Sequence, residues 1–142
     1  MQTADVERAS IARISLADIV RRSARCHPDK TAVIQGDRRI TFSALDAASE
    51  RVGEALRDHG LTDRRIATMC VNSIEHLTAI QAIHKSGNVW VPVNVQLDPA
   101  SIAHVLSHAE VSGVFIDASL FDVAALRALV ERLGLLLSLI HI

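Results

Sequence analysis

Three nearly continuous apolar runs between residues 65 and 117 constrain the fold of the chain more than any other feature. They read RIATMCV from residue 65, VWVPV from residue 89 and GVFID from residue 113. Segments with a helical spacing of apolar residues separate them, and a strand that is apolar at every position is typically buried on both faces. The alternation predicts a three-layer α/β fold, with a mostly parallel sheet and helices on both faces.

A leading helix is predicted before this alternation. Ser15 is a candidate cap for it, and Leu16, Ile19, Val20 and Ser23 fall on one face at helical spacing.

A β-hairpin and a long helix come next. The β-prone runs TAVIQ and RRITF flank Gly36-Asp37, a dipeptide typical of a hairpin turn. The long amphipathic helix that follows is capped by Thr41 or Ser43 and ends at Gly60.

Pro92 places a limit on the strand VWVPV. Proline has no N–H to donate to a neighbouring strand, so it is excluded from the middle of a central strand. Pro92 is therefore predicted near the C-terminal end of its strand or at the edge of the sheet. The helix before this strand is capped by Asn72 or Ser73 and ends at Gly87.

The remaining boundaries complete the predicted organisation. Asp98 caps a helix that has Pro99 in its first turn, and Ser119 caps a last helix that reaches about Leu133. Residues 1–12 are predicted to be a flexible N-terminus, 13–134 one partial subdomain, and 135–142 an atypical tail. The tail is either the start of a further strand or sequence foreign to the protein, and the second interpretation is favoured.

Composition and charge exclude several classes of function. Hydrophobic residues make up 49% of the chain and charged residues 22%, which is typical of a globular protein. The 15 basic and 16 acidic residues nearly cancel, so no basic field is expected to bind nucleic acid or an anionic membrane. No apolar run approaches the roughly 20 residues of a membrane span. Cys26 and Cys70 have no metal-ligand spacing and fit reduced thiols in a cytoplasmic protein.

Four histidines are candidate metal ligands or catalytic bases. His104 and His108 have the i, i+4 spacing of a metal pair, but a site needs three or four ligands, so a solvated helix face is the favoured interpretation. His76 and His84 share a side with apolar residues and are interpreted as half-buried, hydrogen-bonded side chains rather than catalytic bases.

Two polar residues end predicted strands, at the sheet edge where α/β proteins bind ligands. Cys70 is either a nucleophile beside a helix start or, as favoured, a small buried hydrophobic residue. Asp117 is interpreted as a cap of the last helix rather than an acid–base group.

Charged and aromatic residues elsewhere have structural explanations. Arg38 and Arg39 flank the hairpin turn, where exposed arginines usually deter edge pairing, although they would also suit an anionic substrate. Glu75 lies in the first turn of its helix, where the helix dipole favours a carboxylate. Trp90 is predicted to pack in the core between helix and sheet.

Two blocks of sequence carry a family resemblance. The first, residues 15–60, contains a His-Pro-Asp-Lys break, the Gly-Asp hairpin and a Thr-Phe-x-x-Leu turn that begins at Thr41. The second, residues 71–110, begins with Asn-Ser-x-Glu and has a strand that ends in Pro-x-Asn at Asn94. In this order they resemble the N-terminal portion of the adenylate-forming enzymes, which include acyl-CoA synthetases and peptide-synthetase adenylation domains. The resemblance covers about residues 15–134, and Asn94, where peptide synthetases usually carry Asp, favours an acyl-CoA ligase.

The sequence departs from the family pattern at several positions. Ala44 stands where a Glu is usual, Asp63-Arg64 stands for Gly-Asp, and Asn88 stands where a small apolar residue is frequent. The changes at Ala44 and Asp63-Arg64 lie at a helix start and a turn, so they are expected to affect local stability more than chemistry.

The resemblance implies a reaction whose machinery is not expected within these 142 residues. Family members form an acyl-adenylate from ATP and a carboxylate, then transfer the acyl group to a thiol such as that of CoA. They use a Ser/Thr/Gly-rich loop with a Lys, a Thr-Glu pair, an Asp and a C-terminal Lys, and none of these motifs occurs here. No catalytic, cofactor-binding or metal-binding residue is therefore expected in this chain, and ATP, Mg and CoA are assigned to the full-length enzyme.

Two functions from different classes remain. The first is the N-terminal fragment of an AMP-forming acyl-CoA ligase of fatty acid metabolism, inactive alone and prone to self-association through an exposed sheet edge. The alternative is a stand-alone α/β module that binds a partner without catalysis.

Overall fold

The computed structural model describes residues 15–120, 128, 131, 134 and 136–140. Four helices lie within these residues, namely α1 (Leu16–Cys26), α2 (Phe42–Asp58), α3 (Ile74–Lys85) and α4 (Pro99–His108). The strands are β1 (Thr31–Gln35), β2 (Arg38–Thr41), β3 (Arg65–Met69), β4 (Val89–Pro92), β5 (Gly113–Asp117) and β6 (Leu136–Ile140). The predicted last helix from Ser119 and the predicted flexible N-terminus lie largely outside the described residues.

The strands form one parallel sheet and one hairpin, which confirms the predicted α/β class. The sheet has the order β4-β3-β5-β6, and all its described pairings are parallel. β1 and β2 pair antiparallel on either side of Gly36, which adopts a φ of 56° in the turn. The strand β6 lies in the 135–142 tail and pairs with β5. The origin of the tail stays a prediction.

The central strand β3 divides the core into two layers. Its residues Ala67 and Met69 pack with α4 and with Val114 and Ile116 of β5. Its alternate residue Ile66 packs on the opposite face, in a cluster with side chains of α2, α3 and β5. Because successive side chains of a strand point to opposite faces, one continuous apolar run supplies both layers.

The leading helix α1 buries a different face from the predicted one. It lies against α2 and α3, and its buried side chains are Ala17 and Val20. Leu16 and Ile19 remain 58% and 56% exposed, so the predicted face was wrong for these two residues. The face of α1 that packs against α2 and α3 is therefore centred on Ala17 and Val20.

Pro92 occupies the place predicted for it, at the end of an edge strand. The N–H groups of Val89 and Val93 donate to the carbonyls of Arg64 and Thr68, at 2.8 and 3.0 Å. In a parallel ladder the backbone N–H and C=O groups of alternate residues point to the partner strand, so those of Trp90 and the carbonyl of Pro92 point away from β3. The missing N–H of Pro92 therefore costs no bond within the sheet, and it removes a donor from the open edge.

Asn88 joins the turn after α3 to the loop before β3. Its side chain is buried, and Oδ1 accepts from the N–H of Arg64 at 2.9 Å. Its Nδ2 donates to the carbonyl of Leu61 and to Oγ of Ser86, both at 2.8 Å. A small apolar residue at this position would leave these groups without a partner, so the departure from the family pattern has a structural role here.

Buried charges fix α2 against α3. The side chain of Lys85 is 0% exposed, and its Nζ lies 2.5 Å from Oδ1 of Asp46 and 3.6 Å from Oε2 of Glu50. Glu50 also accepts from Arg21 of α1 at 3.2 Å and from Arg57 at 3.1 Å. Burial acts to raise the pKa of Glu50, but these arginines and the Lys85 charge hold it below its ordinary value. One carboxylate thus bonds to cations from three helices.

Replacing Lys85 with Met is expected to destabilise the protein by about 1–3 kcal/mol. Removal of one partner from a fully buried pair costs about 3–5 kcal/mol, and the partial exposure of Asp46 and Glu50 reduces this cost. Urea unfolding followed by circular dichroism measures the difference. The matched control is Lys30→Met, because Lys30 is exposed and its replacement is expected to change little. Equal losses in the two variants would contradict the role of Lys85.

Replacing Asp63 with Gly is expected to stabilise the protein by about 0.5 kcal/mol. Glycine adopts the left-handed conformation without steric strain, and this gain is expected to exceed the additional backbone entropy that glycine loses on folding. Asp63 has a φ of 53° and stands where the family resemblance places a glycine. The same urea titration measures the change. Glu54→Gly, within the regular helix α2, is expected to lose about 1 kcal/mol and serves as the opposite control. A loss of stability in Asp63→Gly would show that the aspartate is favoured at this φ.

Candidate functional site

The carboxyl ends of β3 and β5 mark the place where an open parallel sheet usually binds ligands. The chain leaves β3 toward β4 on one side of the sheet, while β5 and β6 lie on the other side. The crevice of such a sheet forms between the strands at which the direction changes. Cys70 follows β3 and Asp117 ends β5, so the structure brings these two predicted candidates to the same crevice.

The setting of Cys70 opposes a role as a nucleophile. Its Sγ lies 3.6 Å from the carbonyl oxygen of Phe115, to which it donates. Burial, and then the negative charge of Asp117, raise the pKa of the Cys70 thiol to about 11. A reactive cysteine needs a cationic setting that favours the thiolate, and Cys70 has the reverse. It acts as a half-buried packing residue beside the apolar cluster that contains Ile66 and side chains of α2, α3 and β5.

Asp117 is fully buried and shapes the chain after β5. Its Oδ1 accepts from the N–H of Ser119 at 2.9 Å and from Oγ of the same residue at 2.7 Å. Its Oδ2 has no hydrogen-bond partner among the described residues. The carboxylate therefore stabilises the turn that leads out of the sheet. The predicted capping of the last helix lies outside the described residues.

A cleft of about 340 Å³ opens between the hairpin and α3. Most of its lining is apolar, and the polar residues of the lining are uncharged at neutral pH. The lining residues are Val33, Ile34, Gln35, Asn72, Ser73, His76, Leu77, Ile80 and Trp90.

His76, His84 and Trp90 form one cluster beside this cleft. The rings of His76 and His84 lie edge-on to Trp90, with centroids 6.5 and 6.3 Å away. His76 Nε2 lies 3.1 Å from Oγ1 of Thr68, and Trp90 Nε1 donates to the same oxygen at 2.9 Å. Burial lowers the pKa of both histidines. These contacts agree with the interpretation of His76 as a half-buried, hydrogen-bonded side chain and of Trp90 as a packing residue between helix and sheet.

Arg38 and Glu75 form an ion pair. Arg38 of β2 donates to both carboxylate oxygens of Glu75 in the first turn of α3, with Nη1 3.3 Å from Oε2. The hydrogen bond from Arg38 lowers the pKa of Glu75, although burial opposes it. The N–H of Ile74 also donates to Oε1 of Gln35, at 3.0 Å. The hairpin is thus attached to the start of α3, and Arg38 is engaged in this contact.

The structure also decides between the proposed caps of two helices. The hydroxyl of Ser73, not Asn72, accepts from the N–H of His76 at 3.0 Å, and Thr41 accepts from the N–H of Ala44 at 3.2 Å. The hydroxyl groups of Ser73 and Thr41 therefore serve as helix caps.

The histidines and glycines of the described residues build no metal or phosphate site. His104 and His108 are exposed on α4, and their rings stack with centroids 5.6 Å apart. Within the described part of the chain, no group of three or more His, Cys, Asp and Glu side chains is placed to hold a metal ion. The glycines with positive φ within residues 15–120 each stand alone in separate turns, so they build no phosphate-binding loop there. No helix among the described residues has the length and apolar character needed to cross a membrane.

Comparison with known sequences identifies relatives of this chain. Residues 20–139 match the family model described as AMP-binding enzyme. Syringomycin synthase SyrB1 of Pseudomonas syringae pv. syringae is 32% identical over 80% of this chain and 19% of its own length. A medium/long-chain-fatty-acid–CoA/3-oxocholest-4-en-26-oate–CoA ligase of Mycobacterium tuberculosis (strain ATCC 25618 / H37Rv) is 28% identical over 68% of this chain and 18% of its own length. The chain spans about a fifth of each of these relatives.

Solved structures with the same architecture are larger enzymes or their parts. A proposed long-chain-fatty-acid CoA ligase from Rhodopseudomonas palustris CGA009 is 31% identical, with a TM-score of 0.80 over 89% of this chain and 33% of that one. The N-terminal subdomain of NpsA from Klebsiella oxytoca is 28% identical, with a TM-score of 0.69 over 73% of this chain and 28% of that one.

At neutral pH, Cys70 is expected to be alkylated by iodoacetamide about a hundredfold more slowly than a thiol of ordinary pKa, because its pKa is raised from 9.0 to about 11. Asp117→Asn removes a negative charge and is expected to lower the pKa of Cys70 and speed the reaction. Mass spectrometry of the separate peptides distinguishes Cys70 from the exposed Cys26. Asp37→Asn, at an exposed turn, is the control and should leave the rate unchanged. Equal alkylation rates at Cys70 and Cys26 would refute the expectation.

Proposed function

We propose, because this chain belongs to the AMP-binding enzyme family, that it is the N-terminal segment of a carboxylate-activating ligase. The match over residues 20–139 carries this proposal, since it includes both layers of the core and the parallel sheet. The likeness to the NpsA N-terminal subdomain supports the same assignment at the level of the fold.

The proposed parent reaction has two steps. A carboxylate oxygen attacks the α-phosphorus of ATP, and pyrophosphate leaves with the electron pair of the broken P–O bond. A thiol then attacks the acyl carbon of the adenylate and releases AMP. In this proposal the described residues supply a scaffold, because the two apolar layers hold the sheet and the ion pair of the buried Lys85 with Glu50 joins α3 to α2. Positioning and charge stabilisation would come from parts of the parent enzyme outside these residues.

The thiol acceptor is proposed to be CoA, with a carrier-protein thiol as the alternative. Asn94, at the end of the Pro-x-Asn motif, favours CoA by resemblance, and the relatives include both CoA ligases and peptide synthetases. In the structure Oδ1 of Asn94 accepts from the N–H of Gln96 at 2.9 Å. An aspartate would accept the same bond, so the local geometry is compatible with either subfamily. A role in fatty acid metabolism and a cytoplasmic location are part of the proposal.

A non-catalytic binding module remains the second candidate. It is favoured by the edge strand β4, where Pro92 removes a donor from the open side, as expected of an edge that must stay unpaired. A stand-alone module should be monomeric and unfold cooperatively. A fragment of a larger enzyme should self-associate through its exposed apolar side chains, such as Leu16 and Ile19. Size-exclusion chromatography combined with a thermal melt distinguishes these two outcomes.

The chain alone is expected to catalyse no ATP–pyrophosphate exchange with any member of a panel of fatty, aromatic and amino acids. The physical reason is that its sequence contains no Ser/Thr/Gly-rich loop with a lysine to hold the phosphates. The benzoate CoA ligase from Burkholderia xenovorans LB400, assayed with benzoate in parallel, is the positive control. Carboxylate-dependent exchange above the blank would refute the assignment of the catalytic residues to other parts of the parent.

A further inference from the structure

Side chains from three elements meet at the hydroxyl of Thr68. Trp90 of β4 donates its Nε1–H to Oγ1 at 2.9 Å, and His76 Nε2 of α3 lies 3.1 Å from the same oxygen. Thr68 is only 2% exposed, so water does not compete for these bonds. An indole N–H can only donate, and Oγ1 therefore accepts from Trp90 and has its own hydrogen left to donate to His76.

When the hydroxyl hydrogen of Thr68 is directed to His76, Nε2 must be unprotonated, because only the neutral imidazole offers an acceptor there. We propose that His76 is a proton-sensitive latch, which in its neutral form joins α3 to β3 and β4 through Thr68 and Trp90, and which loosens this joint when it is protonated.

Protonation removes the acceptor of the Thr68 hydrogen. His76 and Trp90 then both donate to Oγ1, and these are the two partners that Oγ1 has among the described residues. A buried hydroxyl hydrogen without a partner is destabilising. The new positive charge also lies in a half-buried position beside the Trp90 ring, with the ring of His84 on the same indole. Charging either imidazole makes charging of the other less favourable.

The charged groups around the cluster are compensated by other partners. On α3, Glu75 pairs with Arg38 of β2, while Lys85 faces Asp46 and Glu50 of α2. On β3, Arg65 pairs with Glu110 at 2.8 Å. Cys70 follows β3 and has a raised thiol pKa, and the exposed Arg39 lies on β2. Among the described residues, His76 has no recorded ion pair to a carboxylate, so burial decides its protonation, against the hydrogen bond to the backbone of Val71.

The latch lies where the hairpin is attached. His76 is two residues after Ile74, whose N–H bonds to Gln35, and it follows Glu75, which binds Arg38. A movement of the first turn of α3 away from Thr68 would disturb both contacts and widen the cleft that His76 and Trp90 line. The lowered pKa of His76 gives the sign of the effect. The contribution to stability is complete above the ordinary histidine pKa of about 6.5 and is lost as the pH falls toward the lower folded value.

Trp90 is the single tryptophan of the chain, so its fluorescence reports this site alone. The experiment titrates the intact 142-residue chain from pH 8 to pH 5 and records Trp90 emission, with far-UV circular dichroism at each point. Emission is expected to change with a midpoint below 6.5 while the helical signal persists. His76→Gln should abolish most of the change, and His84→Gln should shift its midpoint. His104→Gln, on the exposed face of α4, should titrate like the unaltered protein.

A flat emission profile, or the same profile in His76→Gln as in the unaltered chain, would overturn the proposal. If His76→Gln does not fold, nuclear magnetic resonance of the unaltered chain tests the proposal instead. The Trp90 indole N–H resonance should then shift together with the His76 imidazole signals, at a pKa below the ordinary value. An indole signal that stays fixed while His76 titrates would show that the joint does not respond to protonation.

Discussion

The alternation of side chains along β3 is the constraint on which the rest of the structure depends. This strand is paired on both sides, with β4 and with β5, and four of its five residues are buried. Ile66 and Thr68 face α2 and α3, while Ala67 and Met69 face α4. A shift of one residue in its register would exchange these sets and place the Thr68 hydroxyl among apolar side chains. The two layers therefore fix each other through one strand.

Polar contacts add to this apolar packing and determine how the helices are placed against each other. Glu50 joins α1, α2 and α3 through three cations, and a Cβ added at the nearby Gly53 would lie 3.3 Å from the carbonyl oxygen of Ala82. The glycine thus allows the two helices to approach closely, and the buried Lys85 is tolerated because it has acidic partners in the same interface. At the N-terminal end of α3, the Arg38–Glu75 pair holds the hairpin. The helix α3 is consequently held by ion pairs near both of its ends.

The sequence was informative where the signal is local and periodic. Runs such as GVFID predicted buried strands, glycines such as Gly87 predicted helix ends, and Pro92 predicted the edge position of its strand. Contacts between residues that are distant in sequence were not predictable in this way. The pairing of Arg38 with Glu75, the three bonds of Asn88 and the burial of Lys85 depend on how elements are placed in space. Leu16 and Ile19 fit an apolar helix face by spacing, but the structure buries Ala17 and Val20 instead, because tertiary packing decides which face of a helix is covered.

Pro92 also affects the order in which the sheet can grow during synthesis on the ribosome. The segment β3–α3–β4 emerges before β5, so for a time the young sheet has two open sides. On the β4 side, Pro92 offers no N–H, whereas β3 still presents a complete row of donors and acceptors. A newly synthesised strand therefore meets fewer hydrogen-bond donors at the open side of β4 than at the open side of β3. One imino acid thus makes the two sides of the growing sheet unequal in hydrogen-bond donors, and β5 pairs on the side with the complete row.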